Sequence, residues 1–214
     1  MIVVIQCAAG KRDHAGYMQT PDGRNVMFVA KPHLSPATEA LIYARPDDSA
    51  VAGKSWREVL RDYNQKKVNS LGLLPAWRLY KNPAYEILAD RVGQDRLYIL
   101  SAGWGLIRSD FLTPKYDITF SKARNVEPYK RRSPRDAYRD IRLPDGISGP
   151  IVFFGGRDYI PLFCRLTKGA TGPRTIYYAG RIPDAPGCAL QSFGKPYTNW
   201  HYQCARDFVE GRLR

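Results

Sequence analysis

The segment LYILSAGWGLIRSD, residues 97–110, decides the fold that we predict for this chain. It begins as an apolar run of the kind that forms a buried strand, and the small residues of 101–105 then interrupt that run. Carboxylates follow at Asp110 and Asp117. Because open α/β sheets bind ligands beyond the carboxyl ends of their strands, this segment predicts a site at the edge of such a sheet.

Two other apolar runs end in small residues. Residues 2–6 lead into CAAGKR at 7–12, and residues 151–154 lead into the glycine pair 155–156. In the first of these turns, backbone N–H groups and Lys11 can face an anion, although a plain strand-to-loop turn with solvated cations is an alternative. If the three strands are parallel neighbours, their ends line one crevice.

Helix signals lie between these strands. Ser55 and Glu58 have the spacing of a capping box, which predicts a helix start. A second helix is expected to begin at Pro83 and to end at Gly93, directly before the strand of the opening segment. Further helices are expected from Ile160 and at the C-terminus.

A helix that feeds a strand is an α/β signature. We therefore predict one α/β domain over 1–214, with a mixed, largely parallel central sheet flanked by helices. The length of 214 residues fits one domain, and 44% hydrophobic residues suffice for a core. Residues 13–80 are expected to form an insertion of loops and helices, with room for a hairpin.

The charge of the chain indicates its partner. Lysine and arginine number 33 against 20 acidic residues, so the net charge is +13 and the pI is about 9.7. This balance favours a polyanion, and nucleic acid is the first expectation. An anionic membrane is the rival, but it would require a basic amphipathic helix or a lipidation motif, and neither is evident.

The sequence also bears on compartment and metal content. The first residues form an apolar strand without a basic n-region, so no signal peptide is predicted, and a cytoplasmic location is expected. The four cysteines form no C-x-x-C pair, and the three histidines have no H-x-x-x-H spacing. We therefore expect no zinc site and no cofactor.

Residues 122–142 form a basic segment with eight cations against three carboxylates. One interpretation is a solvated helix face, and the other is a surface that contacts phosphates, with the interleaved Tyr129 and Tyr138 stacking on bases. We favour the second. The predicted DNA-contacting residues of the chain are Arg12, Arg108, Lys122, Arg124, Lys130, Arg131, Arg132 and Arg135.

Several short motifs, taken in order, resemble the YaaA-like superfamily of bacterial and phage proteins. They are Cys7-x-x-x-Lys11, Pro75-Ala76-x-x-Leu79-Tyr80-x-x-Pro83, Leu100-Ser101-Ala102-x-x-Gly105-Leu106, Asp110, Pro114-x-Tyr116-Asp117 and Gly155-Gly156-x-x-Tyr159. The chain departs from the stress-protein branch in its long segment 13–53, in Ala8 where that branch has serine, and in lacking a clear helix-hairpin-helix.

The resemblance implies DNA binding, a sheet like that of DNA glycosylases, and a role in oxidative-stress protection or modified-DNA metabolism. The residues that it singles out are Cys7, Lys11, Ser101, Gly105, Asp110, Tyr116 and Asp117. Cleavage of a nucleobase N-glycosidic bond passes through a cationic sugar, which a carboxylate stabilises. Asp110 and Asp117 are the candidates for that role, and Lys11 is a third catalytic residue. The flanking phosphate is expected to be held by Lys11 or Arg108.

We predict that a base extruded from DNA stacks on Tyr116 or Trp104. The predicted substrate-binding set is Cys7, Ser101, Gly103, Trp104, Gly105, Tyr116, Gly155, Gly156 and Tyr159. Structural roles remain open for several residues: Asp110 as a cap, Asp117 as the partner of an arginine, and Trp104 as part of the core.

The expected function is that of a DNA glycosylase acting on modified, damaged or foreign phage DNA. A non-catalytic DNA-binding protein of stress protection is the alternative. A metal-dependent nuclease is the second alternative, and the absence of a compact acidic cluster in the sequence argues against it. We expect a monomer with no membrane partner.

Overall fold

The computed structural model describes residues 1–66, 68–194 and 197–213. The strands are β1 (Ile2–Gln6), β2 (Met18–Gln19), β3 (Asn25–Val29), β4 (Leu41–Ala44), β5 (Leu74–Pro75), β6 (Leu97–Ser101), β7 (Gly105–Arg108), β8 (Leu112–Thr113), β9 (Tyr116–Asp117), β10 (Ile151–Phe154), β11 (Arg174–Tyr178) and β12 (Ala189–Ser192). The helices are α1 (Trp56–Gln65), α2 (Ala76–Leu79), α3 (Ala84–Val92), α4 (Ile160–Leu166) and α5 (Trp200–Val209).

The main sheet has six strands in the order β12-β11-β10-β1-β6-β7. All neighbours are parallel except β6 and β7, which are antiparallel. The central strands are continuous apolar runs, as strands buried on both faces must be, and every residue of β10 is buried. The predicted α/β fold with a mixed, largely parallel sheet is confirmed.

The three strands singled out in the sequence are adjacent and parallel. β1 lies between β10 and β6, with Ile2 opposite Ile151 and Val3 opposite Leu97. From β1 the chain reaches β6 on one side, whereas from β10 it continues to β11 on the other side. The direction of winding therefore reverses between β1 and β10, and an α/β sheet opens a crevice at such a point.

The helix boundaries follow the local signals. Ser55 Oγ accepts from the Glu58 N–H at 3.3 Å, and the Glu58 carboxylate accepts from the Ser55 N–H at 2.8 Å, which completes the predicted capping box of α1. α3 starts one residue after Pro83 and is capped at its C-terminus by Gly93. The φ of Gly93 is +90°, a conformation that favours glycine.

The helices α3 and α5 pack against each other, and α5 also covers β10 and β11. Three segments of the 13–80 insertion are more regular than expected: β2, β3 and β4 join β9 in a second small sheet. Within the described part of the chain, the helices are all too short or too polar to cross a bilayer.

The opening segment turns back on itself, which the sequence did not predict. β6 runs on through Ser101, and β7 then returns antiparallel to it from Gly105. Gly105 has φ +87°, and a Cβ there would lie 2.6 Å from the backbone N and O of Ile141. Only glycine fits this turn without strain.

Candidate active site

A cleft of about 640 Å³ opens where β1 and β10 end, at the switch point of the main sheet. We call it the first cleft. It is lined by Gln6, Cys7, Ala8, Ala9, Gly10, Lys81, Asn82, Thr119, Ser121, Gly156, Arg157, Asp158, Tyr159, Asn199 and Tyr202. Three of the residues predicted to bind substrate, Cys7, Gly156 and Tyr159, are therefore brought together.

The two strand ends are tied to each other across the first cleft. Gln6 Oε1 accepts from the Gly156 N–H at 2.5 Å, and Cys7 Sγ lies 3.2 Å from the Tyr159 hydroxyl. A Cβ at the adjacent Gly155 would lie 2.3 Å from the Phe153 ring, so glycine is needed for this close approach. These contacts hold the floor of the cleft in a fixed shape.

Lys11 lies beneath the turn that borders the first cleft. Its ammonium donates to the carbonyls of Ala8 at 3.2 Å and Ala9 at 3.5 Å, and it lies 4.1 Å from the centre of the Tyr116 ring. Burial lowers the pKa of Lys11, while the charges of Cys7 and Asp117 oppose that shift. Lys11 thus holds the strand-end turn together from within.

Ser101 and Tyr116 form a buried hydroxyl chain behind Lys11. Ser101 Oγ donates to the Tyr116 hydroxyl at 2.8 Å, and the Tyr80 hydroxyl lies 2.9 Å from the same oxygen. Ser101 Oγ also accepts from the N–H groups of Gly103 and Trp104, so it stabilises the turn between β6 and β7. Both residues are at most 1% exposed, and neither is among the residues that line the first cleft.

Trp104, Gly103 and Gly105 also belong to the core rather than to a binding surface. The Trp104 ring is fully buried and meets Phe28 edge to face at 4.9 Å. Arg57 donates to the carbonyls of Gly103 and Trp104 at 3.1 and 2.8 Å. Trp104 therefore occupies the core position that was the alternative to base stacking.

Asp110 and Arg108 lie beyond the opposite ends of the main-sheet strands from the first cleft. Since β7 runs back along β6, the Ser109 N–H reaches the carbonyl of Leu97, where β6 begins. Arg108 and Asp110 form a bidentate exposed pair at 2.6 and 2.7 Å. Asp110 therefore lies away from the first cleft, because β7 returns along β6 instead of continuing forward after Ser101.

Asp117 lies beside the first cleft without lining it. Its carboxylate pairs with Lys130 at 2.8 Å, and Thr119 and Ser121 farther along the chain do line the cleft. The alternative of a carboxylate paired with a cation is therefore observed. Asp117 lies close enough to Lys11 for its charge to oppose the lowering of the Lys11 pKa that burial causes.

The basic segment is not a helix. It is irregular apart from a short 3₁₀ turn at Pro128–Lys130. Lys122, Arg124 and Arg135 are exposed, as phosphate contacts require. Arg131 folds back onto backbone carbonyls at Val126 and Ala123.

Arg132 is buried, which contradicts its prediction as a DNA contact. Its guanidinium pairs with Asp140 through two bonds of 2.9 and 2.6 Å and donates to the Ala102 carbonyl at 2.6 Å. The same guanidinium lies 3.6 Å from the centre of the Tyr138 ring, so that ring already has a stacking partner. Arg12, another predicted DNA contact, also has a partner within the protein, because it pairs with Glu86 at 3.1 Å.

The sequence interpretation missed the charged residues of the first cleft itself. Arg157 and Asp158 are exposed and directly follow the Gly155-Gly156 turn, so the strand end was the available signal. Asn82, Asn199 and Lys81 come from distant loops, and no local pattern marks them. Asn199 has φ +64° and directly precedes α5.

Metal ligands are not clustered in the described residues. Across 1–66, 68–194 and 197–213, no three histidine, cysteine or acidic side chains meet in a group that would hold an ion. The nuclease alternative therefore gains no candidate metal centre from these residues.

The resemblance to the YaaA-like superfamily rests on the sequence motifs alone. Comparisons with family models, with curated proteins and with solved structures found no match to this chain.

Proposed function

We propose that this protein binds DNA and hydrolyses the N-glycosidic bond of a nucleotide held in the first cleft. The observation that carries the proposal is the position of the cleft at the switch point of a parallel sheet, in a chain with net charge +13. Ligands of α/β proteins bind at that point, and the charge favours a polyanion.

The size and lining of the first cleft suit a nucleotide. Its volume of about 640 Å³ lies within the range of small-molecule sites, roughly 300–1,000 Å³. Amide and hydroxyl side chains at Asn82, Asn199, Thr119 and Ser121 carry the donors and acceptors that base edges and sugar hydroxyls need. Arg157 adds a cation for the phosphate.

Asp158 is the carboxylate among the described lining residues of the first cleft. It stabilises the positive charge that develops on the sugar, and it takes a proton from the attacking water. The water oxygen bonds to the anomeric carbon as the bond to the base nitrogen breaks, and the base leaves with a proton from solvent.

The test is release of free bases from DNA. Wild-type protein is incubated with unmodified and modified phage DNA, and released bases are quantified by mass spectrometry. Asp158→Asn is expected to slow release by about 10²-fold or more while DNA affinity is retained. Asp110→Asn is the matched control, since that carboxylate lies at the far edge of the sheet, and its rate should equal that of the wild type. Equal rates in the wild type and Asp158→Asn would refute the assignment of Asp158.

The exposed cations Lys122, Arg124 and Arg135 favour one second candidate, a non-catalytic DNA-binding protein. It predicts salt-sensitive binding with no released base from any DNA. Reversing the charge of these three residues should weaken binding strongly, whereas unchanged affinity would exclude the basic segment as the DNA surface.

A further inference from the structure

A second cleft of about 800 Å³ lies beside the first and shares Arg157 and Asp158 with it. It extends along α4 and reaches the loop that leads to β12. Since consecutive Cα atoms are about 3.8 Å apart, the two shared residues form a thin partition between the clefts. One flexible chain of ligand can therefore occupy both.

The second cleft is positively charged. It has two carboxylates, Asp158 and Asp184, and twice as many cations. The cations are Arg157, Arg165, Lys168 and Arg174. A surplus of cations in a concave surface attracts a phosphate backbone.

The cations of the second cleft differ in whether they already form ion pairs or hydrogen bonds within the protein. Arg165 pairs with Asp140 at 2.9 Å, and Arg174 donates to the carbonyls of Cys164 and Gly187. Arg157 and Lys168 are exposed, and among the described residues no carboxylate lies within ion-pair distance of either. They are therefore the cations most available to a ligand, and Lys168 is the one that lines only the second cleft.

Apolar side chains line the rest of the second cleft. Pro161 and Pro186 are exposed and contribute hydrophobic surface next to the cations. A nucleotide presents the same two features, because its phosphate is anionic and its base has apolar faces. Single-strand binding sites combine a positively charged groove with aromatic surfaces for the bases. In the second cleft, proline rings supply the apolar surface instead.

We infer that the second cleft binds the nucleotide adjacent to the one in the first cleft, so that a single-stranded segment crosses Arg157 and Asp158. The inference rests on the proposed function for the identity of the polymer. It adds that recognition extends beyond one nucleotide and that the strand follows α4.

Binding of short oligonucleotides tests the inference without requiring catalysis. Affinities of a deoxynucleoside monophosphate and of a single-stranded pentamer are measured against salt for the wild type, Lys168→Glu and Lys66→Glu. Lys66, an exposed residue after α1 that lines neither cleft, is the control with the same charge change. Lys168→Glu should weaken pentamer binding and reduce its log–log salt slope by about 0.7, with monophosphate binding unchanged.

A thiol near the second cleft gives an independent readout. Cys188 Sγ lies 3.8 Å from Cys164 Sγ, which lines that cleft, and the hydrogen bond with Cys164 lowers the pKa of Cys188 to about 7. Cys188 should therefore be alkylated near neutral pH. The pentamer should slow that alkylation severalfold, and the monophosphate should not.

The outcomes separate this inference from the proposed function. The inference is overturned if Lys168→Glu and Lys66→Glu bind the pentamer with the same affinity and the same salt slope. It is also overturned if the pentamer leaves the rate of Cys188 alkylation unchanged. Protection of Cys188 without release of any base supports the second cleft while refuting the glycosidase. A wild-type protein that binds no nucleic acid overturns both.

Discussion

Replacing Arg132 by methionine should destabilise the fold while leaving DNA binding intact. Methionine fills much of the arginine volume but removes the bidentate pair with Asp140 and the bond to the Ala102 carbonyl. The side chain of Arg132 is fully buried, and that of Asp140 is 2% exposed. Solvent therefore cannot take the place of the lost partner.

The size of the expected destabilisation depends on which ion-pair partner Asp140 keeps. Breaking a buried ion pair by removing one partner costs about 3–5 kcal/mol. Asp140 retains Arg165 at 2.9 Å, so we expect about 3 kcal/mol for Arg132→Met. In Asp140→Leu the Arg132 charge loses its carboxylate, and the cost should approach about 5 kcal/mol. In a domain of this size, 3 kcal/mol lowers the Tm by roughly 6–12 °C.

Urea unfolding followed by tryptophan fluorescence measures these changes. The double variant Arg132→Met with Asp140→Leu should be more stable than Asp140→Leu alone, because apolar replacement of a buried pair is often nearly neutral. Arg135→Met is the exposed control and should change stability by less than about 0.5 kcal/mol. If Arg132→Met unfolds like the wild type but loses DNA affinity, the assignment of Arg132 to the core is refuted.

Three further predictions concern the core. Burial lowers the pKa of His201 from 6.5 to about 4, so the unfolded chain binds a proton that the folded one does not, and stability should fall by roughly 3 kcal/mol as the pH drops from 6.5 to 4. His201→Phe should flatten that dependence in urea titrations at several pH values. Burial also lowers the pKa of Lys11, so the cost of its buried charge should vanish as the pH rises toward 10.5. The stability of the wild type relative to Lys11→Met should accordingly increase between pH 7 and 10, and a constant difference would contradict the burial of a charged amine. Gly105→Ala should cost about 1–3 kcal/mol, measured by thermal unfolding, because alanine is strained at φ +87° and its Cβ meets the Ile141 backbone.

Part of the predicted site lies around one cleft. Cys7 directly follows β1, and Gly156 and Tyr159 come shortly after β10; the apolar runs of both strands are evident in the sequence. Asp110 was misplaced because a hairpin, which depends on pairing between β6 and β7, reverses the chain. Asp158 was overlooked, although it follows a predicted strand end.

The sequence by itself determined the features that depend on near neighbours. Apolar runs marked the strands of the main sheet, and Ser55 with Glu58 marked the start of α1, because caps and periodicity act within a few residues. Only the tertiary structure decided which strand ends meet and which charges are buried. The switch point between β1 and β10 and the pairing of Arg132 with Asp140 depend on how distant segments share one core, and local sequence does not encode that packing.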